Sequence, residues 1–274
     1  MVKRTETIQQ SSVSTPQTQA TRNLIARPHD AQIAITEALV PLRYKEAVRI
    51  GMLGDTGSGK SRLCRAIAAR FLASVAQGVV FVVDQNEIKA RSWGGQVRKW
   101  PADLNDKRFK LAPTPRMVVF TGDGVGDERP LVAACELAWT YSGRGFPTLV
   151  ILDEVANAVH EQAPGVWRSK ECRSIARLFK EGRGQGVSVC WATQFPQETP
   201  LALLNETEDI FAFRLAGSAL NNLRTKGFTD GRGGRVESTL NALPDTKTPP
   251  PQRGAHLRLQ RGHAWDGRVY RVMG

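Results

Sequence analysis

Three places in this chain combine residue types and spacing that can do chemistry. They are the run Gly54-Asp55-Thr56-Gly57-Ser58-Gly59-Lys60-Ser61, the pair Asp153-Glu154, and Gln194. The first has the spacing Gly-x-x-x-x-Gly-Lys-Ser, the full pattern of a phosphate-binding loop. Glycines let the backbone curl close to phosphate oxygens and aim several N–H groups at them. A helix starting near Lys60 adds its positive end. The Lys60 ammonium is suited to the β- and γ-phosphates, and the Ser61 hydroxyl to Mg²⁺. Residues Gly54 to Ser61, with Arg62 directly after, are the expected contacts of ATP. Asp55 is the odd member: an acid inside an anion-binding loop must point away or meet a nearby cation.

Asp153-Glu154 ends an apolar run, ninety-three residues after Lys60. Asp153 is suited to holding Mg²⁺, directly or through water. Glu154 is suited to orienting and deprotonating an attacking water. The competing reading is a carboxylate pair that only caps the next helix. Gln194 follows another apolar run, and its amide can both donate to a phosphate oxygen and accept from water. That suits a γ-phosphate sensor; the structural alternative is a glutamine that satisfies local backbone groups.

The elements that must position these residues are legible as an alternation. Strands are expected at 48–53, 79–84, 117–121, 148–153, 187–192 and 210–214, with helices at 30–40, 60–75, 130–141 and 170–181. Continuous apolar runs such as Val79-Val80-Phe81-Val82-Val83 suit strands buried on both faces. Strand and helix signals alternate over about 165 residues, which predicts an α/β fold with a mainly parallel central sheet flanked by helices. The phosphate-loop pattern falls between a strand and a helix, as it must.

Three regions are expected. Residues 1–28 are rich in Ser, Thr and Gln and read as a flexible tail. Residues 29–228 read as the nucleotide-binding core, with an irregular basic insertion at 85–116. Residues 229–274 read as a surface excursion, through a Gly/Arg run and a Pro-rich run, followed by a terminal hairpin.

Composition narrows the classes. The chain has 274 residues and a formal charge of +12, which attracts polyanions, nucleic acid foremost. Its four cysteines and four histidines are scattered, with no zinc or disulfide spacing. No apolar stretch reaches the roughly 20 residues of a membrane span. The N-terminus lacks the apolar core of a secretory signal, so a cytoplasmic protein is expected.

Together the motifs resemble the FtsK/HerA superfamily of DNA-pumping P-loop ATPases. The resemblance is carried by the phosphate loop, the strand ending Val83-Asp84, Leu152-Asp153-Glu154, and Gly182-Arg183-Gly184-Gln185-Gly186-Val187 running into Ala192-Thr193-Gln194-Phe195-Pro196. It covers roughly residues 47–225. It implies a P-loop NTPase of the RecA-like or additional-strand type, with ATP and Mg²⁺ as cofactors. It also implies a homo-oligomeric ring, typically a hexamer, that moves DNA through its centre. In that family an arginine from the neighbouring subunit contacts the γ-phosphate, and Arg183 matches the position; Arg214 and Arg224 compete, as does a plain surface role. A compact motor of this kind looks most like the genome-packaging ATPases of membrane-containing phages. That implies a host-cytoplasmic or virion-associated protein at a packaging vertex, with a capsid or membrane portal partner. A conjugative or mobile-element ATPase, a small-molecule kinase and an ATP-switched assembly adaptor remain open.

DNA contact is expected through phosphates, without base reading. The 89–116 segment holds eight Lys/Arg against two Asp, and 168–183 holds six Lys/Arg against two Glu. Arg232 and Arg235 lie in the glycine-rich run. Trp93 and Trp100 suit either stacking on bases or anchoring a loop, with anchoring preferred.

Overall fold

The computed structural model describes residues 25, 28–44, 46–84, 86–99, 116–123, 127–155, 161–163, 166–167, 170–194, 199, 201–215, 217–229, 234–244 and 254–272. The 1–24 tail, Trp100, Arg232 and the Pro-rich run at 245–251 lie outside them.

In chain order the strands are β1 (His29–Asp30), β2 (Arg49–Leu53), β3 (Val79–Val83), β4 (Gln96–Lys99), β5 (Met117–Thr121), β6 (Thr148–Leu152), β7 (Glu161–Ala163), β8 (Val166–Trp167), β9 (Val187–Thr193), β10 (Asp209–Ala212), β11 (Ala255–Gln260) and β12 (Tyr270–Arg271). The helices are α1 (Ala31–Ala38), α2 (Lys60–Ser74), α3 (Glu87–Ala90), α4 (Arg129–Gly143), α5 (Lys170–Glu181), α6 (Leu201–Glu206), α7 (Ser218–Thr225) and α8 (Arg235–Ala242).

Among the described residues ten strands form one sheet in the order β1-β12-β11-β10-β2-β9-β6-β3-β5-β4. From β10 to β4 every neighbouring pair is parallel. The remaining edge is mixed: β11 pairs antiparallel with β10 and with β12, and β12 runs parallel to β1. β9 lies between the phosphate-loop strand β2 and the carboxylate strand β6.

The continuous apolar runs are explained by burial on both faces. Val79, Phe81 and Val83 belong to one core cluster with residues of α4, α5, α7 and α8, while Val80 and Val82 belong to another with residues of α1 and α2. Pairing is in register: Leu53 faces Thr193, Trp191 faces Leu152, and Leu152 faces Val83. In a parallel sheet that register brings the residues following all four strands to one edge.

The structure holds elements that the sequence reading did not place, among them α3, α6 and α7. Gln96–Lys99, read as irregular, form edge strand β4; their mixed polarity hides them because an edge strand is only half covered. Arg235–Ala242, read as part of a surface excursion, form α8, which buries Val236, Thr239 and Leu240. β11 likewise joins the central sheet through β10.

Candidate nucleotide site

The cleft at the C-terminal edge of the parallel strands has a volume of about 510 Å³. Its lining includes Thr56, Gly57, Gly59, Lys60, Ser61, Arg62, Asp153, Glu154 and Gln194, so one space gathers all three sequence motifs.

Local structure explains the loop. Gly54, Gly57 and Gly59 have φ of 157°, 74° and 111°, which side-chain-bearing residues rarely adopt. A Cβ on Gly54 would also lie 2.6 Å from that of Phe213. The Lys60 side chain folds over the loop, donating to the carbonyls of Gly54 at 2.6 Å and Asp55 at 2.9 Å. Burial pushes the Lys60 pKa down, while the charges of Glu154 and Asp153 oppose that shift. Asp55 itself is exposed and absent from the cleft lining; its carbonyl is what meets the Lys60 cation. Ser58 is half-buried.

Asp153 follows β6, and its carboxylate accepts the Ser61 hydroxyl at 2.8 Å. Burial raises the Asp153 pKa; the Ser61 bond and the Lys89 and Lys60 charges act against that, and Asp84 adds to it. Glu154 sits at a φ of 57°, and its Oε1 accepts from the Thr193 hydroxyl at 3.0 Å and the Gln194 N–H at 2.9 Å. The Thr56 hydroxyl donates to the Gln194 side-chain oxygen, tying the loop to the end of β9.

A Mg²⁺ ion fits these residues. Magnesium in phosphate-loop sites uses one or two protein oxygens beside phosphates and waters, not a dedicated cage. The Ser61 hydroxyl and the Asp153 carboxylate already meet, and among the described residues no group of three or more His, Cys, Asp or Glu could hold a metal alone.

Arg183 is not in this cleft. It lies in the turn before β9, with its guanidinium 2.5 Å from Glu208. Gln194 follows the far end of that seven-residue strand. At about 3.3 Å per residue, Arg183 is some 20 Å from its own chain's site.

Sequence reasoning missed the other wall of the cleft, formed by Arg65, Asp84, Asn86 and Lys89. Only Asp84 gave a signal, as the acid closing an apolar strand. Trp93 is 6% exposed and donates to Asp84 at 3.0 Å, so it anchors its loop.

No protein-family model and no curated protein sequence matches the chain. Solved structures do match it. The genome-packaging NTPase B204 of Sulfolobus turreted icosahedral virus 2, in complex with sulfate, aligns with a TM-score of 0.59 at 13% identity, over 84% of this chain and 98% of B204. The DNA-packaging ATPase B204 of Sulfolobus turreted icosahedral virus aligns at 0.58 and 13%, over 84% and 98%. The ATP-γS complex of the former aligns at 0.57 and 11%, over 84% and 99%.

The chain has the fold of these viral ATPases. Among the described residues no helix is long and apolar enough to cross a membrane.

Proposed function

We propose that this chain hydrolyses ATP and uses the energy to drive DNA, packaging a viral genome into a capsid. The observation that carries the reading is the common edge on which Lys60, Ser61, Asp153, Glu154 and Gln194 meet around one cleft. The fold shared with the B204 packaging ATPases supports the choice of a motor over other phosphate-loop enzymes.

In this reading the loop N–H groups, Lys60 and Arg62 bind the triphosphate. Ser61 and Asp153 would hold Mg²⁺, which when bound neutralises phosphate charge. Glu154 takes the proton of the attacking water, aimed by its bonds to Thr193 and Gln194. Gln194 reports the γ-phosphate to the loop through Thr56. Arg183 acts across a subunit interface in a homo-oligomeric ring, a hexamer as in the resembling family. DNA is held through its phosphates, which the +12 charge favours. The work takes place in the host cytoplasm or at a packaging vertex, against a capsid or portal partner.

The test is phosphate release from Mg-ATP with and without long duplex DNA, beside native mass measurement. Stimulation by DNA in a ring-sized assembly supports the motor. Hydrolysis indifferent to DNA at every assembly state, or phosphoryl transfer to a small acceptor, overturns it.

A further inference from the structure

The second wall of the cleft is a braced segment. Asp84, 4% exposed at the end of β3, accepts the Asn86 N–H at 3.0 Å on one oxygen and the Trp93 indole N–H at 3.0 Å on the other. Asn86 caps α3 by accepting the Lys89 N–H at 3.1 Å. Ser92 donates to the Lys89 carbonyl at 2.6 Å and accepts from the Arg65 guanidinium at 2.5 Å. Arg65 belongs to α2, the helix leaving the phosphate loop, and lies 5.8 Å over the Trp93 ring. The segment is therefore fastened both to β3 and to α2.

Lys89 lines the cleft from this brace. Its side chain is exposed, and among the described residues no hydrogen bond or ion pair holds its ammonium. Lys60, by contrast, is bonded to two loop carbonyls. Strand order matters here. Beyond the loop after β2 the sheet continues with β9, then β6, which Asp153 follows, then β3. Strands lie about 4.8 Å apart. In the proposed pose the terminal phosphate turns towards Asp153 and Glu154, and a cation on the β3 side of the cleft meets that phosphate, which ADP lacks. Asp153 lines the same cleft, and the Lys89 charge favours its ionised form.

We infer that Lys89 is a second cation for the terminal phosphate, supplied by the same chain and positioned by the Asp84–Trp93 brace. This deepens the proposed function and rests on the cleft being the nucleotide site.

Isothermal titration of the full chain with Mg-ATP-γS and with Mg-ADP tests it. For Lys89→Ala, ATP-γS affinity should fall roughly tenfold while ADP affinity stays within about twofold, the size of one charge-assisted contact to the γ-phosphate. The exposed side chain can be removed without disturbing the core. Unchanged affinity for both nucleotides, or an equal loss for both, overturns the assignment. A parallel Lys60→Ala titration separates the two failures: if that variant binds both nucleotides like the parent, it is the site reading that fails.

Discussion

The Glu154 carboxylate accepts the backbone N–H of Gln194 at 2.9 Å, tying the end of β6 to the end of the adjacent β9. The same oxygen accepts the Thr193 hydroxyl at 3.0 Å. Glu154 has a φ of 57°, a left-handed conformation that costs a non-glycine residue on the order of 1 kcal/mol or more. The bonds to β9 hold that conformation and fix the aim of the carboxylate. Gln194→Ala keeps both donors and removes only the amide that meets Thr56. Nucleotide affinity should stay within about threefold, while phosphate release falls about ten- to a hundredfold. Calorimetry beside steady-state phosphate release checks this.

Gly51 lies on the phosphate-loop strand against the Trp191 indole. A Cβ there would approach Trp191 Cζ2 to 2.6 Å. Trp191 is buried and cannot swing away, because its indole N–H donates to Thr207 at 2.9 Å. Gly51→Ala should cost about 1–3 kcal/mol through overpacking. Urea denaturation reads that loss.

His256 on β11 is fully buried, with its ring 4.9 Å from that of Phe213, the residue that backs the phosphate loop. Burial lowers its pKa from 6.5 to about 4, partly opposed by the Gly254 carbonyl at 2.9 Å. The unfolded chain therefore takes up this proton before the folded one does. Stability is lost as pH falls from about 6.5 towards 4, on the order of 2 kcal/mol from this group between pH 7 and pH 5. In His256→Phe the pH 5 and pH 7 denaturation midpoints should lie closer together than in the parent.

Much of this was legible in the sequence for a physical reason. Strands buried on both faces must be apolar throughout, so β3, β6 and β9 announce themselves. The carboxylate pair and Gln194 each follow such a strand, and parallel register then carries them to the edge where the phosphate loop leaves β2. What stayed hidden depends on tertiary contact. The Asp84–Trp93 bond joins a strand end to a loop, and no spacing rule encodes it. Arg49 is a charged residue inside β2, yet it is 2% exposed because the carbonyls of Val48, Leu178 and Val187 receive its guanidinium. α8 follows a glycine-rich run and reads as loop until the sheet offers Val236 and Leu240 a face to cover.

In the proposed ring, Arg183, which pairs with Glu208 in the turn before β9, serves the cleft of a neighbouring subunit. Arg183→Ala and Lys60→Ala proteins should each be nearly inactive alone. Mixed before assembly, they should recover part of the parental phosphate release, since some interfaces then join an intact loop to an intact arginine. Measured recovery across mixing ratios, with ring assembly verified by native mass, checks the trans arrangement.

The most direct measurement concerns Glu154→Gln. The amide keeps an oxygen for the Gln194 N–H and the Thr193 hydroxyl but can no longer take a proton from water. Single-turnover hydrolysis of Mg-ATP at saturating protein should fall by about a hundredfold or more, with ATP-γS affinity retained. A variant that binds nucleotide and hydrolyses it at the parental rate would contradict the account.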